Sequence, residues 1–331
     1  MLIEVSEASQ TGEARRKALA LAEQLEMSET RRGGVALAVV EMATNLVKHA
    51  GRGHILLQRM QQNGNSGLRI VSVDNGPGIA DIGRALTDGH STAGTMGTGL
   101  GAIRRASSAF DVYSIPGQGT IVGAEFWQGN HAPPANLPFD LAVVSEPIHG
   151  EDVCGDGWGI RTMATGSILM VVDGLGHGLL AAEAAREAER VLGEAKTDSL
   201  TDILQRVHGA LRKTRGAAVS LARIDPEQGL LSFVGVGNVS ASIVSRDCSR
   251  SLVSHNGTLG QQMQRVQEFT YPWNPTDILV MHSDGLLTRW DLQPYPGIWS
   301  KSPGLIAAIL HRDFSRGRDD VTVLVAKARQ H

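Results

Sequence analysis

Three short strings in the first 127 residues combine a carboxylate, a carboxamide, a lysine and glycines in an order suited to phosphate chemistry. Glu41, Asn45 and His49 are four residues apart, so on a helix they share nearly one face, with Lys48 beside them. Asn45 offers a neutral oxygen to a hydrated magnesium ion, and Glu41 can orient or deprotonate an attacking hydroxyl. Lys48 can neutralise phosphate oxygens. Asp74 closes the alternating run Leu68-Arg69-Ile70-Val71-Ser72-Val73, and Gly76 and Gly78 follow in a loop that would admit a flat ring. A carboxylate there can accept the amino group of adenine. In Gly97-Thr98-Gly99-Leu100-Gly101 the glycines free successive backbone amides to approach phosphates, and a helix beginning near Leu100 would aim its positive end at them. Gly119-Thr120 adds a late turn with a hydroxyl.

The second half carries a different chemistry. Asp156 lies in a Gly-Asp-Gly turn, Asp173 ends the apolar run Ile168-Leu169-Met170-Val171-Val172, Asp284 closely follows Ile278-Leu279-Val280-Met281-His282, and Asp319-Asp320 opens the last apolar run. Carboxylates at the ends of core strands can converge at one edge of a sheet sandwich, and hard oxygen ligands suit magnesium or manganese rather than zinc. Two such ions would bind a phosphate and acidify a bridging water for hydrolysis. Gly174 can turn its carbonyl onto one ion, and Asp156 can add a ligand or hold a metal-bound water. His177 reads as a supporting or helix-start residue, and His282 as a sheet histidine. Cys154 is close to this set but has no base partner.

These residues need two cores to hold them, and 331 residues suffice for two. The polar, proline-bearing stretch 128–137 is the expected linker, giving domains at 1–127 and 138–328. In the first, helices over 13–26, 29–50 and 100–109 and strands over 54–60, 67–74 and 110–127 predict helices on one face of a mixed sheet. In the second, strands over 139–146, 167–173, 217–225, 229–236, 239–245, 277–282 and 320–327 alternate irregularly with helices over 178–195, 199–213 and 302–312. Sheets flanked by helices follow. A formal charge of -3 gives no electrostatic reason to expect nucleic acid or an anionic membrane as partner. Cys154 and Cys248 are the only cysteines, too few for a disulfide framework or a thiolate zinc site, and no apolar run reaches membrane-spanning length. A cytoplasmic protein is expected. Neither a Gly-x-x-x-x-Gly-Lys-Ser/Thr string nor a dinucleotide-type Gly-x-Gly-x-x-Gly is present among the glycine motifs.

Taken together, Glu41 to His49, Asp74 to Gly78, Gly97 to Gly101 and Gly119-Thr120 resemble the successive boxes of the GHKL (Bergerat) ATP-binding superfamily. The small size, and Thr44-Asn45 followed by His49-Ala50-Gly51-Arg52-Gly53, are similar to the RsbT-type switch kinases. The resemblance implies ATP-dependent phosphorylation of a serine or threonine on a STAS-type antagonist protein, within a cascade that can end on a sigma factor. Glu41 would be the base, Asn45 would hold magnesium and Asp74 would bind adenine. Lys48, His49, Gly76, Gly78, Gly97, Thr98, Gly99, Leu100, Gly101 and Thr120 would complete the ATP site.

Asp173-Gly174-Leu175-Gly176-His177-Gly178, Ser283-Asp284-Gly285 and Asp319-Asp320-Val321-Thr322-Val323 resemble the metal motifs of PPM-type serine/threonine phosphatases of the SpoIIE/RsbX branch. Gly235-x-Gly237-Asn238 and Asn256-Gly257-x-Leu259-Gly260 are similar to the short RsbX-like members. The resemblance implies metal ligands at Asp156, Asp173, Gly174, Asp284 and Asp319, the last in preference to Asp320, with Mg2+ or Mn2+ bound. Gly155-Asp156-Gly157-Trp158 departs from the usual first motif. The expected fold is α+β: a GHKL α/β sandwich followed by a PPM-type β-sandwich flanked by helices. The expected function is a bifunctional partner-switching regulator with opposed kinase and phosphatase activities. The alternative is a phosphatase whose first domain binds ATP, or a sigma-factor or STAS partner, without transferring phosphate.

Overall fold

The computed structural model describes residues 1–62, 65–87, 99–129, 137, 139–163, 166–264 and 266–329. Gly97 and Thr98, and most of the expected linker, lie outside the described residues. The chain divides into two compact units, Met1–Asn136 with Ser300–Ala308, and Leu137–Trp299 with Ile309–His331.

The first unit contains strands β1 (Leu2–Val5), β2 (Gly53–Gln62), β3 (Asn65–Asp74), β4 (Ala109–Ser114) and β5 (Thr120–Trp127), and helices α1 (Ala8–Gln24), α2 (Glu29–Asn45), α3 (Ile82–Ala85) and α4 (Gly99–Ala106). The sheet order is β1-β2-β3-β5-β4. Every pairing in it is antiparallel, where a mixed sheet was expected. One strand face carries Ile55, Leu57, Leu68, Ile70, Val122, Ala124 and Phe126 into a core shared with Val35, Val39 and Met42 of α2 and Ala14, Ala18 and Ala22 of α1. The alanines let α1 come close, and the alternation on the strands fixes which face the helices cover. Helix α2 starts at Ser28, whose hydroxyl accepts from the Arg31 amide. The expected continuous α-helix to residue 50 stops at Asn45. Leu46–Ala50 form a wider π turn that ends at Gly51, whose φ of 77° suits glycine.

The second unit holds two five-stranded sheets. One orders β15-β10-β9-β8-β7 and the other β12-β11-β16-β17-β6. Their strands are β6 (Phe139–Glu146), β7 (Asp156–Met163), β8 (Gly166–Gly174), β9 (Ala217–Asp225), β10 (Leu230–Val236), β11 (Ser240–Val244), β12 (Ser249–Ser251), β15 (Phe269–Pro272), β16 (Ile278–His282) and β17 (Val321–Ala328). A small ribbon joins β13 (Gly257–Thr258) to β14 (Gln262–Met263). Strand β8 shows how the layers arise. Ile168, Met170 and Val172 pack against Ala184, Ala188, Leu192, Ile203 and Leu204 of α5 (Leu179–Glu194) and α6 (Leu200–Ala210). Leu169 and Val171 point the other way, toward Val143, Leu279, Met281 and Leu324 of the second sheet. A strand buried on both faces reads as a continuous apolar run, and the period of two sorts that run into two cores. Of helix α7 (Pro303–Phe314), the residues through Ala308 fall in the first unit and those from Ile309 in the second. Among the described residues no helix is long and apolar enough to cross a membrane.

Candidate active sites

The β7–β8 ladder sets Asp156 directly opposite Asp173. Asp173 is the last residue but one of β8, and its Oδ2 is buried without a hydrogen-bond partner. Asp156, 8% exposed, accepts through Oδ2 from Ser283 Oγ at 2.6 Å. Ser283 Oγ in turn accepts from the Thr322 amide at 2.9 Å, tying the ends of β16 and β17 to Asp156. Asp284 follows β16 by two residues and accepts from Asn238 Nδ2 at 2.6 Å. Asp319 precedes β17 by two residues and accepts from the Asp320 amide at 2.9 Å.

The two neighbouring aspartates at that last position have separate jobs. Asp320 is buried, and its two oxygens accept from the Ile148 amide at 2.7 Å and the Gly155 amide at 2.8 Å. It staples the segment between β6 and β7 to the start of β17. Both of its oxygens are occupied by backbone, whereas Asp319 is half-exposed.

Burial pushes the Asp173 carboxyl up to about 7, with the charge of Asp284 adding to the rise and those of Asp319 and Asp320 contributing less. Asp156 is raised well above the usual range by burial and then by Asp173. Asp319 is raised by burial, with Asp284 and Asp320 contributing. These carboxylates therefore feel one another, and the neighbouring His177 offsets a small part of the rise at Asp319. His177 Nδ1 lies 2.7 Å from Glu151 Oε1.

A buried carboxylate oxygen without a donor, amid like charges, is an environment that a hard divalent cation fits. Among the described residues no three His, Cys, Asp or Glu side chains close around one point as a ready-made cage. Gly174 faces inward, where a Cβ would lie 2.3 Å from the Ala181 carbonyl and 2.7 Å from that of Gly155.

Two other groups near the carboxylates are inert. Burial pushes the Cys154 thiol up to about 12, which excludes a thiolate nucleophile. His282 is buried, with Nδ1 at 2.8 Å from the Ser283 carbonyl and Nε2 accepting from Trp290 Nε1 at 3.1 Å. That pairing requires the neutral ring protonated on Nδ1, and burial lowers its pKa accordingly.

In the first unit, Asp74 ends β3 and its Oδ1 accepts from the Gly76 amide at 2.8 Å and the Thr120 amide at 3.1 Å. The glycines around it are demanded by close backbone. A Cβ on Gly76 would lie 2.8 Å from Ala50 Cα, one on Gly78 would lie 2.3 Å from the Ile115 carbonyl, and one on Gly119 would lie 2.0 Å from the Asp74 carbonyl. Ser114 Oγ accepts from the Ile79 amide at 2.7 Å and lies 2.9 Å from Thr120 Oγ1, so it joins this loop to β4 and β5. The Gly76 contact with Ala50 also brings the π turn against the Asp74 loop. Glu41 and Asn45 are half-buried one turn apart on α2, and Lys48 and His49 are exposed on the π turn. Leu100 and Ile103 anchor α4 in the core behind Gly99 and Gly101.

Sequence reasoning did not pick out Ser283, Asn238 or Asp320 as supports of the site. All three stood inside recognised strings, Ser283-Asp284-Gly285, Asp319-Asp320 and Gly235-x-Gly237-Asn238, without a supporting role being read from them.

The sequence matches the family described as stage II sporulation protein E (SpoIIE) over residues 164–329, half of the chain. The chain belongs to the SpoIIE family. It also matches the histidine kinase-like ATPase domain over residues 5–125, so the two families are fused in one polypeptide. The SpoIIE-family chain is 35% identical over 107 residues to the serine/threonine-protein kinase RsbT of Bacillus subtilis, covering 32% of this chain and 80% of that protein. It is 27% identical over 138 residues to the phosphoserine phosphatase RsbX of the same organism, covering 41% of this chain and 69% of RsbX. A structure described under the bacterial stressosome, a modular system adapted to control secondary messenger signalling, is 28% identical with a TM-score of 0.54, covering 57% of this chain and 99% of that one. The crystal structure of RsbX in complex with magnesium shares the fold, at 24% identity and a TM-score of 0.50, covering 58% of this chain and 96% of that one. The enzyme thus joins a kinase-like ATPase domain to a PPM-type phosphatase domain, and these domains call for ATP and a divalent cation.

Proposed function

We infer that the chain is a bifunctional partner-switching regulator. Its first domain phosphorylates a serine or threonine of a STAS-type antagonist protein with ATP, and its second hydrolyses protein phosphoserine or phosphothreonine. The observation that carries the phosphatase reading is the unpartnered, buried Oδ2 of Asp173 among carboxylates that raise one another's pKa. The same reading makes Mg2+ or Mn2+ the cation and Asp173, Asp284 and Asp319 its holders, with Gly174 and Asp156 completing the set. When bound, the cation supplies Lewis acidity and lowers the pKa of water. Ser283 and Asp320 keep the strand ends in place. Their own oxygens are already engaged by protein donors and acceptors.

For the kinase, Glu41 acts as base, Asn45 holds magnesium, Lys48 and His49 meet phosphate and Asp74 receives adenine. The amides of Gly76 and Thr120 on Asp74 Oδ1 fix that carboxylate in place. Gly78, Gly99, Leu100 and Gly101, with Gly97 and Thr98 outside the described residues, complete the proposed ATP-binding set.

The test follows labelled γ-phosphate from ATP onto STAS-domain proteins, using the full chain and its Asp173→Asn and Glu41→Gln variants with Mg2+ or Mn2+. Label that accumulates on a partner with Asp173→Asn, and vanishes when Glu41→Gln is added, supports both activities. ATP binding without transfer by any variant overturns the kinase half. Phosphoserine left intact by the wild-type chain with either metal overturns the phosphatase half.

A further inference from the structure

The β8–β9 ladder pairs Asp173 with Ala218 and Gly174 with Ala217. Beyond it the Leu175 amide donates to the Gly216 carbonyl at 3.0 Å, so the pairing continues one rung and brings Gly176 abreast of Arg215. Gly176 has a φ of 90°, and a Cβ there would lie 3.0 Å from Arg215 Nη1. The guanidinium thus occupies the space a side chain at 176 would need, three residues from Asp173. Its backbone is held from both sides. Gln261 Nε2 donates to the Arg215 carbonyl at 2.6 Å, and the Gly216 amide donates to Thr214 Oγ1 at 3.0 Å. Arg215 is exposed, and among the described residues no carboxylate pairs with its guanidinium.

We propose that Arg215 is a substrate-binding residue that takes the phosphate ester of a phosphoprotein at the carboxylate site. This rests on the phosphatase reading of that site. A phosphate dianion approaching Asp156, Asp173, Asp284 and Asp319 meets like charge, and oxygens not facing the cation need a donor. A guanidinium offers a planar fork matched to phosphate geometry, on a side chain that stays charged at all working pH values. The same loop and the start of α5 present Leu175, Leu179 and Leu180, which are 48%, 68% and 51% exposed. That apolar ledge suits a protein carrying the phosphate rather than free phosphate.

The full chain, with Arg215→Lys and Arg215→Ala, is compared in magnesium-dependent hydrolysis of a phosphoserine peptide and of p-nitrophenyl phosphate. In parallel, calorimetry measures binding of the phosphoserine peptide, and of its unphosphorylated and aspartate counterparts, to Asp173→Asn with and without Arg215→Ala. Arg215→Ala is expected to raise KM for the phosphopeptide about tenfold with kcat changed by less than about twofold, as loss of one charge-assisted contact predicts. Lysine restores part of the loss, and high salt narrows the difference. Equal KM values, or a fall in kcat at unchanged KM, would overturn the proposal. Binding of the aspartate peptide as tight as that of the phosphopeptide would do so too. If the wild-type chain hydrolyses neither substrate, the phosphatase reading fails, and calorimetry still decides Arg215. Binding lost with Arg215→Ala sustains it, and unchanged binding ends it.

Discussion

Asp156 and Asp173 face each other across the β7–β8 ladder, and burial holds both carboxyls above their ordinary range, with the charge of Asp173 adding to the rise at Asp156 and that of Asp284 to the rise at Asp173. The site is therefore charged against itself until a cation arrives. For Asp173 the folded value is about 7 against an unfolded value near the usual carboxylate range, so the native state binds more protons than the unfolded one between them. The stability of the metal-free protein is expected to fall as pH rises from about 4 toward 7 through this group. Magnesium or manganese should then raise Tm more at pH 8 than at pH 5. Equal metal-induced shifts at the two pH values, measured by calorimetry, would contradict this.

Asp319 and Asp320 should separate cleanly on substitution. Asp320→Ala strands the buried amide of Gly155, at about 1–3 kcal/mol in urea unfolding, and also frees the part-buried amide of Ile148 at a smaller cost. Asp319→Asn leaves those amides satisfied and is expected to change metal-free stability by less than about 1 kcal/mol, because the side chain is partly exposed, while weakening the response of Tm to metal. The reverse pattern would exchange their roles.

Asp74→Asn keeps one side-chain oxygen for the Gly76 and Thr120 amides, so the fold should survive with a Tm near that of the parent. Binding of a fluorescent ATP analogue is expected to weaken by at least about tenfold, the order of one charge-assisted hydrogen bond. Undiminished binding would remove Asp74 from the nucleotide site.

Gly119→Ala places a methyl 2.0 Å from the Asp74 carbonyl at a φ of 88°. Loss of ATP-analogue binding together with a lower melting transition is expected, with the penalty exceeding about 1–3 kcal/mol from the backbone alone. A normal melting profile would show that the loop yields.

Leu169→Ala tests the sandwich. The side chain is fully buried between the sheets, and its truncation should cost about 2–5 kcal/mol by urea unfolding of the second domain.

The strings that pointed to the candidate sites were those in which chemistry and chain geometry fall within a few residues. Asp173 follows its apolar strand at once, and Asp74 does the same, so both carboxylates could be placed at strand ends from pattern alone. Strand β7 was illegible. Asp156-Gly157-Trp158-Gly159 reads as a turn, yet the glycines are there because α5 lies across the strand. A Cβ on Gly157 would sit 2.4 Å from Glu189 Oε1, and one on Gly159 would sit 2.9 Å from Leu192 Cδ2. Glu189 also accepts from the Trp158 amide at 3.0 Å. Such contacts join residues some thirty positions apart and leave no local trace. The sheet of the first domain was expected to be mixed because strand direction depends on partners, which periodicity does not name. The start of α1 was placed five residues late. Its signal is polar: Gln10 Oε1 accepts from the Glu7 amide at 3.0 Å, ahead of the first apolar repeat.

Gly174 has a consequence for how β8 finds its place. With both faces of the strand apolar, a slip of one residue would exchange the two cores while still burying leucine, valine and methionine, so hydrophobicity by itself is a poor guide to alignment. The pinch between the Ala181 and Gly155 carbonyls admits no side chain. A misaligned strand would drive Asp173 or Leu175 into that gap and be rejected. Gly174 thus works as an index notch: the residue that fits the gap is chain neighbour to the aspartate proposed to hold the cation, so proofreading of the strand's alignment and placement of its carboxylate are a single event.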